Sequence, residues 1–292
     1  MNNTITNLLM ALLGRRAAYR LGRALYQKAH GDSENKIAAN GELLLQNCVL
    51  TAWGKSLIPE RKLVVFDVGA NIGDWSYELL NTLSKSNGLQ SLDLYLFEPT
   101  PSTAEALKKR LARFSGALHF EQSVLSSESG EAQFFINRID NNAGTNSLYH
   151  QEDIDAASIS VIKSKADTFC EVNKIEKIHL FKCDTEGHDM EVIRGALPLL
   201  AQGKITVFQF EYSYRWVYSR NFLRDVFAIV ENLPYKVAKI QGDHLLILTE
   251  WHYELEKFFE GNYALIHTNA LEWFPLKTGS FDRFNALCVD PK

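Results

Sequence analysis

The segment Val65-Phe66-Asp67-Val68-Gly69-Ala70-Asn71-Ile72-Gly73-Asp74-Trp75 constrains the fold more than any other stretch of the 292 residues. A short apolar run enters a turn holding two glycines, and a polar sequence suited to starting a helix leaves it. In doubly wound α/β sheets such a junction lies at the carboxyl edge of the sheet, where ligands bind. Gly69 and Gly73 carry no Cβ, so the backbone can approach a ligand closely. Their spacing is not the dinucleotide pattern G-x-G-x-x-G, which argues against a nicotinamide cofactor.

Both flanks of the turn are acidic. Asp67 ends the apolar run and Asp74 begins the helix, where a pyrophosphate would otherwise meet free N–H groups. Two carboxylates there disfavour a phosphate and favour a cationic or zwitterionic ligand. S-adenosylmethionine, a sulfonium carrying an ammonium group, meets that requirement. The next apolar run ends in Leu96-Phe97-Glu98-Pro99, which places Glu98 to accept hydrogen bonds from two ribose hydroxyls.

The pattern from Lys62 onward predicts strands over 63–66, 92–97, 117–125, 132–136, 178–183 and 205–212. Helices are predicted over 74–83, 101–113, 165–173, 189–200 and 221–233. Residues 235–240 and 245–249 suit a hairpin that closes the sheet, and the aromatic-rich stretch 261–292 matches no template. This alternation implies a doubly wound, mostly parallel α/β sheet. Residues 1–60 read as a helical extension and 61–292 as the main domain. A net charge of −4 argues against a nucleic-acid partner, and no Pro-Pro motif of the base-methylating kind is present.

The ordered set Phe66–Gly73, Phe97-Glu98-Pro99, Phe181-Lys182-Cys183-Asp184-Thr185-Glu186-Gly187-His188, Glu191–Ala196 and Phe210-Glu211 resembles the FkbM-type S-adenosylmethionine-dependent methyltransferases. The resemblance spans about residues 63–212. It implies a Rossmann-like class I methyltransferase sheet of seven strands, one of them antiparallel. It also implies methylation of a hydroxyl on a sugar, glycan or natural product, and an adenine site near Ser123 and Val124. The expected cofactor contacts are then Asp67, Gly69, Asn71, Gly73, Trp75, Glu98, Ser123, Val124 and Asp184. A non-catalytic binding protein of the same fold, acting in a glycan or metabolite pathway, is the alternative.

A hydroxyl is a poor nucleophile, so such chemistry needs a base or a metal. Asp184, Glu186 and His188 follow a strand end directly, and Glu211 ends the neighbouring strand. These four are the expected catalytic residues, with Asp184 and Glu186 positioning the acceptor, His188 as base and Glu211 in support. A divalent cation is an option that carboxylates and one histidine suit only loosely, and no metal ligands are assigned. The polar loop Asn141–Leu148 is expected to border the site.

Cys48, Cys170, Cys183 and Cys288 lack any regular spacing and read as reduced, buried side chains of a cytoplasmic protein. Residues 4–28 suggest an amphipathic helix with arginines opposite Leu9, Leu13, Leu21 and Leu25. It could pack on the domain, join a homodimer or touch an anionic membrane surface. Its basic residues follow its apolar run, which is not the order of a signal peptide.

Overall fold

A computed structural model of the chain describes residues 3–32, 36–86, 88–114, 116–139, 145–150 and 155–290. Two helices lead, α1 (Asn3–Ala29) and α2 (Glu42–Gly54). The first buried apolar run forms β1 (Leu63–Val68), and the glycine turn delivers the chain to α3 (Asp74–Ser84). Then come β2 (Leu92–Phe97), α4 (Pro101–Leu111) with proline in its first turn, and β3 (Ala117–Glu121). An excursion follows through β4 (Val124–Leu125), β5 (Gly130–Asn137) and β6 (Ala156–Ser164). The chain returns as α5 (Ala166–Asn173), β7 (Ile178–Cys183), α6 (Asp189–Ala201) and β8 (Ile205–Tyr212). It ends with α7 (Trp216–Ser219), α8 (Leu223–Val230), β9 (Tyr235–Ile240), β10 (Leu245–Leu248), β11 (Gly261–His267), β12 (Leu276–Phe281) and β13 (Leu287–Asp290).

The main sheet runs β13-β12-β10-β9-β11-β8-β7-β1-β2-β3. From β3 to β8 all neighbours are parallel. β11 pairs antiparallel with both β8 and β9. The chain winds outward in opposite directions from β1 and β7, so their carboxyl ends form the topological switch point where a crevice opens. This is the doubly wound, mostly parallel class I methyltransferase sheet with an antiparallel strand near one edge, extended here by β10, β12 and β13.

Each face of the sheet has its own core. Leu45 and Val49 of α2, Leu79 of α3 and Leu107 of α4 pack on one face. Cys170 of α5, Met190 and Ile193 of α6, and Leu223 and Val226 of α8 pack on the other. β7 and β8 are buried along their whole length and are mostly apolar, with His179, Lys182, Gln209 and Glu211 as buried polar exceptions. α2 is thus part of the core layer, whereas α1 buries no residue.

Several sequence expectations are corrected. The run 117–125 divides between two sheets, because β4 leaves β3 to pair with β6 in a small sheet ordered β4-β6-β5. β6 was not expected: its half-exposed sequence, Ala-Ala-Ser-Ile-Ser-Val-Ile-Lys-Ser, covers only one face. The hairpin of β9 and β10 forms, but β11, from the stretch that matched no template, inserts between β8 and β9. Residues 141–144 of the expected site loop lie outside the described residues.

Candidate active site

A cleft opens at the carboxyl ends of β1, β2 and β7. Its floor is Val68 and Gly69 after β1, Glu98 and Pro99 after β2, and Asp184, Thr185 and Glu186 after β7. Ser123, Val124, Phe134, Asn146 and Leu148 complete its lining. Among the described residues that line it are three carboxylates and no lysine or arginine.

Gly69 makes the floor possible. Its φ is +77°, and a Cβ there would lie 1.9 Å from the Asp184 carbonyl oxygen. Only glycine lets the β1 and β7 loops approach this closely. The Gly69 and Ala70 N–H groups donate to the Phe97 carbonyl (3.0 and 2.9 Å), and Asp184 N–H donates to Val68 O (2.9 Å). The three loops are therefore tied to one another by backbone bonds.

Glu98 is buried at the end of β2. Its Oε2 accepts from Asn71 N–H (3.1 Å) and its Oε1 from Thr100 N–H (2.9 Å). Burial raises its pKa above the ordinary glutamate value, and Thr100, through its N–H and side chain, and the Asn71 N–H pull it back. Each carboxylate oxygen keeps an unused lone pair, enough to accept from a vicinal diol. The donor set thus fits the ribose of a nucleoside cofactor.

Behind Asp184 lies a buried charge cluster. Lys182 Nζ donates to Asp184 Oδ2 at 3.0 Å. Burial opposes its charge, but Asp184, Asp67 and Glu42 outweigh that and hold the ammonium protonated well above the usual lysine range. Asp67, fully buried, accepts from Ser76 Oγ and has its pKa raised by burial. Glu42, from α2, is raised likewise and is held by Asn40 and Gln209.

Glu186 sits in a left-handed conformation, φ +55°, uncommon for a residue with a side chain. Its Oε2 lies 2.9 Å from Arg215 Nε, and its carbonyl accepts from Ser147 Oγ at 2.9 Å. Burial and the Asp184 charge push its carboxyl well above the ordinary range, against the pull of Arg215. Glu211, buried beneath, shares a hydrogen bond with Glu260, and its carboxyl is raised well above the ordinary range, first by burial.

The structure gathers Gly69, Asn71, Glu98, Ser123, Val124, Asp184, Glu186 and His188 around one cleft. It places Asp67, Gly73, Trp75 and Glu211 elsewhere. Asp67 and Glu211 lie in the charge layer beneath, while Gly73 caps α3 and Trp75 packs in the core. His188 lines the cleft with both nitrogens engaged, Nε2 with Ser126 Oγ (3.0 Å) and Nδ1 with Tyr149 Oη (3.1 Å). Burial lowers its pKa to about 4. A ring so placed stays neutral and lacks a free lone pair for a substrate proton, which corrects its expected role as base. Among the described residues no group of three or more His, Cys, Asp or Glu side chains converges as a metal would require. Sequence reasoning missed Phe134 and Thr103, since the small sheet that brings Phe134 over the cleft was not foreseen.

His188 also makes stability depend on pH. The unfolded ring titrates near 6.5 and the folded one near 4, so between those values the unfolded chain binds more protons. Its contribution is complete above pH 6.5 and is lost as pH falls toward 4. The stability advantage of the protein over His188→Gln should therefore shrink by about 2 kcal/mol between pH 7.5 and 4.5 in denaturant titrations. A gap constant with pH would contradict this.

The strand order, with antiparallel β11 between β8 and β9, has the class I methyltransferase architecture. The chain belongs to the methyltransferase FkbM domain family, whose model matches residues 67–254. It is 31% identical over 132 residues to the hexuronic acid methyltransferase AglP of Haloferax volcanii. That match covers 45% of this chain and 49% of AglP, so it spans about half the relative's length. Among solved structures, the CurJ carbon methyltransferase is 8% identical, with a TM-score of 0.44, covering 84% of this chain and 58% of that one. The plantazolicin methyltransferase BpumL, solved in complex with SAH, is 9% identical, with a TM-score of 0.38, covering 89% and 94%.

Proposed function

We propose that the chain uses S-adenosylmethionine to methylate a hydroxyl group of a sugar or glycan, with residues 61–292 carrying the activity. The observation that carries this reading is a cleft lined by three carboxylates and no basic side chain, with Glu98 at the end of β2 keeping lone pairs for a diol. A phosphate-bearing cofactor would be repelled there, whereas a sulfonium with an ammonium group is attracted. Family membership and the sugar acceptor named for AglP support the same reading.

In this account Glu98 accepts from both ribose hydroxyls, and Val124 and Ser123 flank the adenine. Asp184, oriented by Lys182, supplies negative charge toward the cationic end. When bound, the cofactor supplies an electrophilic methyl carbon on a sulfonium. The walls hold the acceptor hydroxyl in line with that carbon, the main source of acceleration for such a displacement. With the cofactor bound, Glu186 would take the acceptor hydroxyl proton as the O–C bond forms and the methyl S–C bond breaks, the sulfur leaving as the neutral thioether; its raised pKa brings a carboxylate closer to the matched range for a general base.

The test is incubation with methyl-labelled S-adenosylmethionine and uronic-acid-containing oligosaccharides. Label in a sugar methyl ether, stable to mild alkali, is the expected result. Label released by alkali would mean a carboxyl ester and would refute hydroxyl methylation. Cofactor binding with no transfer to any sugar would favour the non-catalytic reading.

A further inference from the structure

The proposed activity uses nothing of α1, yet this helix has a distinct physical character. None of its 27 residues is buried. Leu8, Leu9, Met10, Leu12 and Leu13 are 39–73% exposed. Its root is fastened: Tyr26 Oη donates to Glu254 (2.8 Å), and the Arg23 guanidinium stacks 4.7 Å over Phe259.

The expected amphipathic helix, with charges opposite leucines, is not what forms. Gly14, at φ 70° and ψ 159°, breaks α1 into two helical pieces. Polarity is divided along the axis instead of around it. The piece before Gly14 has no charged residue, and the piece after it carries Arg15, Arg16, Arg20, Arg23 and Lys28 with no carboxylate. These five cations belong to a chain of net charge −4, so the rest of the molecule carries −9.

We propose that α1 seats the protein on an anionic phospholipid bilayer, with the apolar piece in the hydrocarbon and the arginines at the phosphates. Eleven helical residues extend about 16 Å, close to half of a hydrocarbon core about 30 Å thick. That length reaches into one leaflet, and no described helix is long and apolar enough to cross a membrane. Charge selects the occupant. An anionic surface attracts the basic piece and repels the −9 body, so contact must be made through α1. A second copy of the chain would bring five like charges against five, which opposes helix pairing.

The placement suits an acceptor held at the membrane. β11 runs antiparallel to β8, so Phe259 and Glu254, where α1 is rooted, precede β11 at the carboxyl end of β8. The helix therefore leaves from the same edge of the sheet as the cleft.

The experiment is flotation of the full chain with phosphatidylcholine vesicles, with and without phosphatidylglycerol. Two variants accompany it, Leu9→Glu/Leu12→Glu and Arg15→Ser/Arg16→Ser/Arg20→Ser. Both change exposed residues, so both should melt like the parent. The parent should float with anionic vesicles at least tenfold more than with neutral ones. The leucine variant should float with neither. The arginine variant should lose anionic binding by roughly fivefold per residue removed, and high salt should do the same to the parent. Failure of the parent to float with anionic vesicles would overturn the proposal, as would flotation indifferent to both variants. A dimer in sedimentation that the leucine variant dissociates, without flotation, would assign the helix to a second copy. Cofactor affinity measured on the same samples reports on the cleft separately, so failure here is distinguishable from failure of the methyltransferase reading.

Discussion

Replacing Glu186 by Gln is expected to lower methyl-transfer turnover by roughly 10²–10⁴-fold, the usual worth of a positioned general base, and to weaken cofactor affinity by far less. The amide keeps the size of the side chain and a hydrogen bond toward Arg215, but it cannot accept the hydroxyl proton. In the parent enzyme, turnover should fall as pH drops through the pKa of Glu186. Because burial and Asp184 raise that pKa, the acid limb should lie above the range of an ordinary glutamate. His188→Gln should leave that limb in place, since its ring is neutral and paired on both sides. Parental turnover in Glu186→Gln would move the base elsewhere.

The second large effect concerns stability. Lys182→Met should destabilise the fold by about 3–5 kcal/mol, the cost of leaving buried carboxylates without their cation. Lys182 lies in the middle layer of the sheet and answers Asp184, Asp67 and Glu42 together. Adding Asp67→Asn to the variant should restore part of the loss, because it removes one of the stranded charges. A single variant that loses less than about 1 kcal/mol would mean that the carboxylates neutralise themselves by taking up protons. The cluster also explains why α2 belongs with the sheet: Glu42 completes the charge balance of Lys182 while Leu45 and Val49 fill the core beside it.

The order of strands and helices around the cleft was legible because β1, β2, β7 and β8 are buried, giving short apolar runs with turn residues at their ends. Glu98 was legible as a carboxylate at a strand end. What escaped was nonlocal. The insertion of β11 between β8 and β9 depends on a pairing across about fifty residues that no local pattern records. The small sheet escaped because β6 is half exposed and alternates weakly. Burial decided the chemistry of the site: a histidine beside two carboxylates reads as a base until Ser126 and Tyr149 are seen to occupy both of its nitrogens. Asp67 likewise reads as a ligand contact until its side chain is found turned to Ser76 and Lys182. Gly14 was visible, but glycine permits a break without requiring one.

The central claim is that the acidic cleft holds S-adenosylmethionine through Glu98. Calorimetric titration of the full chain with S-adenosylmethionine and with its demethylated product, on the parent and on Glu98→Ala, tests it most directly. A hydrogen bond to a charged partner is worth about 1.5–3 kcal/mol, so Glu98→Ala should bind at least tenfold more weakly with its melting behaviour retained. Equal affinity in the two proteins, or no binding by the parent, would contradict the account.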